Sequence, residues 1–288
     1  MTEASVVIPN RDGGELLGRC LDAVASARGI GEVVVVDDGS RDGSSAEAAT
    51  RAGVRVERSP GRGFAAAANH GVASTRGDLV LLLNSDAFVA RDTVELLAVP
   101  FAERPRLALC GAALVHEDGS RAKTRDRSLT LGRALREAVS LHLDPLSEGS
   151  GFERVEFVPL ACALVRRLAW HDVGGLDERY RFYYEDHDLC WRLAGEGWEI
   201  GVRWDVTAVH IEGGSSRAHD PAGSFRRYHV SRLAYLRKRY PAAWPLYLGV
   251  WAPSAAVHSL AWVGRAAARR DRRGLAWASA YARSAPPL

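Results

Sequence analysis

Three carboxylates lie close together in this chain, at Glu185, Asp186 and Asp188, in the run Phe-Tyr-Tyr-Glu-Asp-His-Asp that precedes a helical pattern. Acidic residues are favoured at helix N-termini because they cap free amides and oppose the helix dipole, so capping alone accounts for Asp186 and Asp188. A carboxylate that a helix start keeps ionised is also suited to accept a proton from a hydroxyl group. The cluster therefore has two interpretations, a helix cap and a general base.

A second polar cluster follows an apolar run far upstream. Five apolar residues at 79–83 are followed directly by Asn84, Ser85 and Asp86. An uninterrupted apolar run of this length is typical of a strand buried on both faces of a sheet. Ligands of open α/β sheets bind at the carboxyl ends of such strands. The presence of this second polar site favours a catalytic role, rather than helix capping alone, for the carboxylates at 185–188.

The elements that must position these clusters alternate between strand and helix. Apolar runs at residues 5–9 and 32–37 flank a helical pattern, which makes a β-α-β beginning. The alternation continues with a strand at 54–56, an alanine-rich helix that begins at Ala65, and the strand at 79–83. We therefore predict an α/β fold with a mostly parallel sheet covered by helices on both faces.

The second half of the chain is less regular. Charged and polar runs from 115 to 153 weaken the pattern, which predicts a variable excursion rather than core. Ordered patterns then resume, with predicted strands at 162–165, 199–202 and 207–210 and a helix at 189–196.

Two further loops follow predicted strands. Asp37 and Asp38 precede a Gly-Ser turn, and Gly61 and Gly63 flank an arginine before the next helix. Both loops are ordinary turn formers. An exposed carboxylate at Asp38 could instead accept the N3 proton of a uracil or thymine ring. The glycine loop could present backbone amides and a helix start to a diphosphate.

Composition narrows the class of protein. The chain has 288 residues, 47% of them hydrophobic, which suffices for a sizeable core. A net charge of +3 is too small to favour binding of nucleic acid. The four cysteines have no C-x-x-C spacing and lie among apolar neighbours, and no cleavable leader precedes the first strand. We therefore expect a reduced, cytoplasmic protein.

The pattern changes near residue 216. A basic helix is predicted at 224–240, and no charged residue occurs from Tyr240 to Gly264, a stretch that contains three tryptophans. Prolines and polar residues dilute this stretch, and arginines flank both ends, whereas a membrane span usually has basic residues mainly on one side. We expect an interfacial or docked helical segment rather than a span. It would contact a membrane surface, or pack on the domain or on a second subunit in a homodimer.

Read in order, the motifs are Pro-Asn-Arg after the first strand, Val-Asp-Asp-Gly-Ser after the second, Gly-Arg-Gly-Phe-Ala before an Asn-bearing helix, Asn-Ser-Asp, Gly-Gly-Leu-Asp-Glu, Tyr-Tyr-Glu-Asp-His-Asp-Leu-Cys-Trp-Arg-Leu and Val-His-Ile-Glu-Gly-Gly-Ser. This order, over about residues 5–216, resembles glycosyltransferase family 2, the inverting nucleotide-sugar transferases of GT-A fold. Within the family it is most similar to the rhamnosyltransferase-like branch.

The resemblance implies a GT-A catalytic domain at 1–215 and a C-terminal helical extension at 216–288. Within the catalytic domain, residues 1–114 would bind the nucleotide-sugar and 115–215 would hold the acceptor and the catalytic group. The residues that correspond in position to the nucleotide-sugar site are Pro9, Asn10, Arg11, Asp38, Gly63, Asn69, Asn84, Ser85 and Asp86.

The resemblance also implies particular roles. Asp186 matches the general base of the family's acidic motif, and Glu185 would help to hold the acceptor. Asp86 and His210 match the ligands of a Mg²⁺ or Mn²⁺ cofactor. A histidine in isolation is more often structural, but the position of His210 after a short strand and before two glycines makes the ligand interpretation equally good. This chain departs from the family at the D-x-D motif, where Asn84 replaces the first carboxylate. That departure predicts weak metal affinity or an altered metal identity.

The implied reaction moves a sugar from a pyrimidine nucleotide-sugar, dTDP-rhamnose or a UDP-sugar, to a hydroxyl of a lipid-linked glycan or a small-molecule aglycone. The setting would be cell-surface glycan or glycosylated metabolite synthesis at the inner face of the cell membrane. One alternative is a sugar-phosphate nucleotidyltransferase. That class has a glycine-rich loop near its N-terminus, and residues 6–12 of this chain do not form such a loop. Another is a noncatalytic carbohydrate-binding protein on a decayed transferase fold, against which the intact acidic motif argues.

Overall fold

The computed structural model describes residues 3–122, 124, 129–139, 149–180, 182–211 and 221–269. The chain divides into two compact units. Unit 1 comprises Met1–Ser128, Leu146–Arg181 and Glu185–Ser215, and unit 2 comprises Leu129–Pro145, Phe182–Tyr184 and Ser216–Leu288. Unit 2 therefore combines the residues beyond 215 with two internal segments of the chain.

Unit 1 is built on one mixed sheet. Its described strands are β1 (Ala4–Asn10), β2 (Ile30–Asp37), β3 (Val54–Arg58), β4 (Leu79–Leu83), β5 (Ala87–Val89), β6 (Leu107–Val115), β7 (Phe152–Arg154), β8 (Cys162–Arg166) and β9 (Glu199–His210). Their order across the sheet is β3-β2-β1-β4-β8-β6-β9-β5, with β7 paired to β9.

The first four strands are parallel, as predicted, and the remainder are mixed. β1 pairs in parallel with β2 and β4, so their carboxyl ends lie at one edge of the sheet. β8 runs antiparallel between β4 and β6, and β5 and β7 run antiparallel to β9. The two strands predicted at 199–202 and 207–210 are one strand, β9, with a register irregularity where it pairs with β6.

The helices of the described chain, in order, are α1 (Gly14–Ser26), α2 (Ser44–Ala48), α3 (Phe64–Ser74), α4 (Thr93–Glu103), α5 (Leu131–Val139), α6 (Arg167–Asp172), α7 (Glu185–Gly195), α8 (Pro221–Arg239) and α9 (Trp244–Arg269). A 3₁₀ turn, Pro241–Ala243, separates the last two. α5, α8 and α9 belong to unit 2 and the others to unit 1.

Hydrophobic layers cover both faces of the sheet in unit 1. Ile8 of β1 packs in the same cluster as Leu17 of α1, whereas the next residue back, Val7, packs with Val72 of α3. This alternation follows from the two-residue period of a strand. α3 lies so close to the sheet that a Cβ atom on Gly71 would approach Val7 Cγ1 to 2.3 Å. The close packing fixes the N-terminus of α3 at the carboxyl edge of the sheet.

Unit 2 has its own interior. Tyr235 of α8 and Tyr247 of α9 are buried, and Glu137 of α5 accepts a hydrogen bond of 2.8 Å from the buried Arg232. The predicted basic helix at 224–240 corresponds to α8, and the uncharged stretch forms most of α9. Among the described residues, no helix is both long enough and apolar enough to cross a membrane.

Candidate active site

The Asn84–Asp86 turn lies at the carboxyl end of β4. The Asn84 amide donates to the Ala161 carbonyl oxygen at 2.9 Å, and the Ala87 amide donates to the Asn84 carbonyl oxygen at 3.0 Å, which closes the turn. Ala87 begins β5 and pairs with His210, the last residue of β9. The strand pairing therefore brings His210 beside Asp86, which directly precedes β5.

Asp86 and His210 form a close pair of potential metal ligands. His210 Nε2 lies 3.3 Å from Asp86 Oδ1 and 3.4 Å from Asn84 Nδ2, and Asp86 and Ser85 are buried. Two adjacent ligands of one divalent cation lie roughly 3 Å apart, so the pair fits a shared ion. Among the described residues no cluster of three or more His, Cys, Asp or Glu side chains is suited to hold a metal.

The second ring nitrogen of His210 is a separate finding. His210 Nδ1 is buried and has no hydrogen-bond partner among the described residues. A metal-ligating histidine commonly donates its other N–H to an acceptor that orients the ring. The described part of the chain does not supply that acceptor, so the ring is oriented by β9 and by the contacts of Nε2.

Asp38 joins the ends of β1 and β2 to the start of α3. Its Oδ2 accepts from the Gly63 amide at 2.9 Å and lies 3.9 Å from Arg11 Nη1, and its Oδ1 accepts from the Ser59 hydroxyl. Gly63 has φ of 106°, a conformation that glycine adopts more readily than other residues. Three of the residues predicted to bind the nucleotide-sugar therefore lie together, namely Arg11, Asp38 and Gly63. Each carboxylate oxygen has two lone pairs, so Asp38 retains capacity for a ligand donor.

Pro9 and Asn10 serve the scaffold beneath this site. Pro9 is buried in β1 opposite Val36. Asn10 is also buried, and its Nδ2 donates to the hydroxyls of three serines at 3.1–3.2 Å, namely Ser40, Ser44 and Ser45. These contacts assign Asn10 to holding the 40–45 loop, and we no longer place either side chain against the nucleotide.

Asp37, the first of the two aspartates, supports the same loop. Its Oδ1 accepts from the Ser40 amide at 2.9 Å. Burial raises the pKa of Asp37, but the hydrogen bonds from Ser40 and Ser45 and the nearby Arg58 outweigh it, so the pKa lies below its ordinary value. Asp37 is thus held as a carboxylate that stabilises the turn next to Asp38.

Asn69 differs from its predicted role. Its Oδ1 accepts from the Leu176 amide at 2.8 Å, and its Nδ2 donates to the Leu176 carbonyl at 2.8 Å and to Glu178 Oε1 at 3.2 Å. Both ends of the amide are therefore engaged by the Gly-Gly-Leu-Asp-Glu loop. We predicted that Asn69 contacts the nucleotide-sugar. Its side chain instead links this loop to α3.

The acidic motif opens α7, four residues earlier than the predicted helix start at 189. Asp186 Oδ1 accepts from the His187 amide at 2.8 Å. Asp188 is fully buried and accepts from Arg192 Nε at 2.7 Å, and Arg192 also donates to the Val173 carbonyl. Asp188 is therefore a structural carboxylate of α7.

Glu185 has an unusual environment for a carboxyl group. It is buried, and its Oε2 has no hydrogen-bond partner among the described residues. Burial, and then the neighbouring charge of Asp186, raise the pKa of Glu185 well above its ordinary value. The environment of Glu185 therefore favours the protonated form of its carboxyl group.

The 155–161 loop connects the two acidic clusters within unit 1. Its last residue, Ala161, accepts the hydrogen bond from Asn84, and Phe157 stacks on the ring of His187 with centroids 3.8 Å apart and planes 9° apart. His187 follows Asp186 directly. We did not predict this stack, because nothing in the sequence pairs residue 157 with residue 187.

A comparison with protein families identifies the class to which the fold belongs. A family model described as glycosyl transferase family 2 matches residues 5–173. The chain belongs to glycosyl transferase family 2.

Two curated relatives are both transferases. Pre-mycofactocin glycosyltransferase of Mycobacterium tuberculosis is 32% identical over 249 residues, which cover 84% of this chain and 47% of that protein. N-acetylglucosaminyl-diphospho-decaprenol L-rhamnosyltransferase of the same organism is 29% identical over 235 residues, which cover 74% of this chain and 76% of that protein. The chain thus spans about half the length of the first relative. The rhamnosyltransferase-like assignment is confirmed.

Solved structures show the fold. GalNAc-T7 with UDP, GalNAc and Mn²⁺ matches with a TM-score of 0.57 at 16% identity, over 80% of this chain and 47% of that one. The mannosyltransferase PcManGT from Pyrobaculum calidifontis, in complex with GDP-Man and Mn²⁺, matches with a TM-score of 0.59 at 17% identity, over 98% and 86% of the two chains. These likenesses show that the chain has the predicted GT-A fold.

Proposed function

We propose that the protein transfers a sugar, with inversion, from a pyrimidine nucleotide-sugar to a hydroxyl acceptor, with dTDP-rhamnose as the first candidate donor and a UDP-hexose as the second. The observation that carries the proposal is the pairing of Asp86 with His210 at the carboxyl edge of the sheet. That edge also carries Asp38 at the end of β2. The relative that acts as an L-rhamnosyltransferase supports the choice of sugar.

Asp38 and its neighbours would bind the donor. The Asp38 carboxylate would accept the N3 proton of the pyrimidine, which purines do not present at the same edge. Arg11 has 60% of its side chain exposed, and its guanidinium lies 3.9 Å from Asp38, so it is available to the negatively charged diphosphate. The backbone at Gly63 and the start of α3 add a partial positive charge.

Asp86 and His210 would hold a divalent cation, Mg²⁺ or Mn²⁺, together with oxygens of the diphosphate. Such an ion neutralises the charge that develops on the leaving diphosphate. The two solved glycosyltransferases of similar fold both contain Mn²⁺. Because Asn84 and Ser85 contribute no carboxylate, two protein ligands would bind the ion weakly until the donor arrives.

Asp186 would act as the general base. Attack from the face opposite the leaving group requires a carboxylate that takes the proton of the acceptor hydroxyl. The position of Asp186 in the first turn of α7 favours its ionised form. The surroundings of Glu185 raise its pKa, and in its protonated form Glu185 would donate a hydrogen bond to the acceptor without competing for that proton.

A lipid-linked acceptor is consistent with the exposed side of α9. Leu246, Val257 and Leu260 are 63%, 65% and 71% exposed. They lie on one side of the helix because their spacing is close to whole turns. Apolar side chains on one side, with arginines beyond in the sequence, suit the headgroup region of an anionic membrane. We propose peripheral contact with the cytoplasmic membrane face, and a homodimer interface is the alternative use of this surface.

A donor screen tests the proposal. Release of nucleoside diphosphate would be measured with dTDP-rhamnose, UDP-glucose and GDP-mannose, each with Mn²⁺ and with excess chelator. We expect turnover with a pyrimidine donor and metal only. Metal-independent turnover, or preference for GDP-mannose, would refute the proposed donor site, and absence of turnover with all three would refute the proposed donors.

A further inference from the structure

One aromatic contact of unit 1 lies directly beside the proposed base. The ring of Phe157 stacks on the ring of His187, with centroids 3.8 Å apart and planes 9° apart. Carbon atoms in contact are about 3.5–4.0 Å apart, so the two ring faces touch. Phe157 is buried in the core, and His187 belongs to the first turn of α7. The stack therefore holds the His187 side chain against a ring that the core keeps in place.

His187 is linked to the Asp186 carboxylate through its own backbone. The His187 amide donates a hydrogen bond of 2.8 Å to Asp186 Oδ1. The position of the carboxylate therefore depends on the position of the His187 backbone. The residue whose ring packs on Phe157 is thus the residue that orients the carboxylate proposed to take the acceptor proton.

The next residue of the 155–161 loop is also fixed to α7. The Val158 amide donates a hydrogen bond to the Cys190 thiol, and both side chains are buried. A Cβ atom on Gly111 of β6 would lie 3.2 Å from Val158 Cβ, so the loop packs closely on the sheet. The ring stack and the hydrogen bond engage residues 187 and 190, whose spacing of three places them on one face of α7. The loop therefore supports one face of the start of this helix.

The far end of the same loop contacts the Asn84–Asp86 turn. The Asn84 amide donates to the Ala161 carbonyl oxygen at 2.9 Å. Residues 157–161 therefore join the turn at the end of β4 to the first turn of α7. The donor diphosphate would bind at the turn and the acceptor hydroxyl at Asp186, so this short segment sets the distance between the two reactants.

We propose that Phe157 and His187 are positioning residues of the transfer reaction, whose stacked rings fix the Asp186 carboxylate relative to the Asn84–Asp86 turn. This inference rests on the proposed role of Asp186 as the general base and deepens it. In this role neither ring contacts a substrate. Loss of the flat contact would let the first turn of α7 shift and would move the carboxylate away from the acceptor hydroxyl.

The first test is Phe157→Leu in the full chain, which keeps an apolar side chain and removes the flat ring. Displacement of a reacting group by about 1 Å can lower a rate by about 10²-fold, so turnover at saturating donor and acceptor should fall about 10- to 100-fold. The dissociation constant for the nucleoside diphosphate of the donor, measured by calorimetry, should stay within about twofold, because the residues around Asp38 are unchanged.

Phe101→Leu is the matched control. Phe101 of α4 and Phe157 are each 6% exposed in the core of unit 1, so the two substitutions remove similar buried apolar surface. Turnover of Phe101→Leu should stay within about twofold of native at a temperature where thermal unfolding shows the variant to be folded. Losses in Phe157→Leu that only follow its fraction of folded protein would overturn the proposal. So would turnover of folded Phe157→Leu within about twofold of native.

Substitutions of His187 separate ring stacking from chemistry of the imidazole. His187→Phe keeps a flat ring that can stack on Phe157, so it should retain at least about a third of native turnover. His187→Ala should lose about as much turnover as Phe157→Leu, and the two combined should lose little more than either alone, because both remove the same contact. Equal losses in His187→Phe and His187→Ala would overturn the positioning role and make the imidazole the functional group.

Asp186→Asn, assayed alongside, distinguishes this inference from the proposed function. If the stack acts through Asp186, then Phe157→Leu should lower the residual turnover of Asp186→Asn by no more than about twofold. Full additivity of the two losses would overturn the positioning role while leaving Asp186 as the base. Near-normal turnover of Asp186→Asn itself would instead overturn the proposed function, whatever the Phe157 and His187 variants show.

Discussion

His210 Nε2 lies 3.3 Å from Asp86 Oδ1, although the two residues are far apart in the chain. The contact is a consequence of the antiparallel pairing of β5 with the end of β9, in which Ala87 is opposite His210. If this pair holds a cation, as we propose, it would supply two ligands. Oxygens of the diphosphate would then have to complete the coordination.

We predict that His210→Gln raises the apparent dissociation constant for Mn²⁺ by at least about tenfold in the presence of nucleoside diphosphate. The reason is the loss of one of the two proposed protein ligands. The measurement is turnover titrated with Mn²⁺, and excess chelator should abolish turnover of the native enzyme. His171→Gln, which replaces an exposed histidine of α6, is the control and should leave the titration unchanged. An unaltered metal titration in His210→Gln would remove His210 from the site.

Asp38→Asn should weaken binding of UDP or dTDP about tenfold or more, because the amide loses the charge that strengthens the hydrogen bond from the pyrimidine N3–H. Calorimetry with UDP, dTDP and GDP checks this. Ser59→Ala distinguishes a role of Asp38 in the fold from a role in binding the pyrimidine. It removes a protein hydrogen bond to the carboxylate and leaves the charge. If Ser59→Ala weakens nucleotide binding as much as Asp38→Asn does, the Asp38 carboxylate stabilises the fold and does not bind the pyrimidine base.

The raised pKa of Glu185 predicts a particular pH dependence of stability. In the folded protein Glu185 keeps its proton at pH values where the unfolded residue, with a pKa of 4.5, has lost it, so the native state binds more protons. The contribution of Glu185 to stability is therefore full below pH 4.5 and is lost as the pH rises through the folded pKa.

Glu185→Gln should remove this loss, because glutamine stays neutral. Thermal unfolding midpoints of the variant should fall less steeply than those of the native protein as the pH is raised from 4.5. Glu103→Gln replaces an exposed residue at the end of α4 and should follow the native curve. Parallel curves for Glu185→Gln and the native protein would show that Glu185 is not held protonated.

The exposed apolar side of α9 predicts salt-sensitive binding to anionic membranes. The full chain should float with vesicles that contain anionic lipid at low salt and less so at high salt, because the attraction of flanking arginines is screened. Leu246→Ser combined with Val257→Ser and Leu260→Ser should abolish flotation while leaving donor turnover in solution intact. If the native chain stays in the soluble fraction at low salt, sedimentation analysis for a dimer tests the other use of this surface.

The strand ends and their polar residues were predictable from the sequence. Strands buried on both faces appear as continuous apolar runs, so the ends of β2 and β4 and the polar turns after them were placed correctly. The motif order then indicated the family and predicted its fold, and the meeting of Asp38 with Gly63 follows from the β-α-β order of that fold. Only the resemblance predicted that Asp86 and His210 meet, since β5 is a strand of three residues.

Other features have no local signal. An apolar run does not specify strand direction, so the antiparallel β8 between β4 and β6 could not be read from residues 162–165. Tyr183 and Tyr184 have a left-handed backbone, which opposes local preference, and their segment is held by contacts with α8, distant in the sequence. Asn69 was misassigned because an asparagine in a motif does not reveal which backbone its amide engages.

The proposal that the protein is an Asp186-dependent transferase is tested most directly by turnover of Asp186→Asn at saturating donor and acceptor, with donor affinity measured in the same preparation. We predict that turnover falls by about 10²-fold or more while the dissociation constant for the nucleoside diphosphate is unchanged, because the asparagine keeps the size of the side chain but cannot take the proton. Near-normal turnover of the correctly folded variant would contradict the assignment of Asp186 as the general base and, with it, the proposed mechanism.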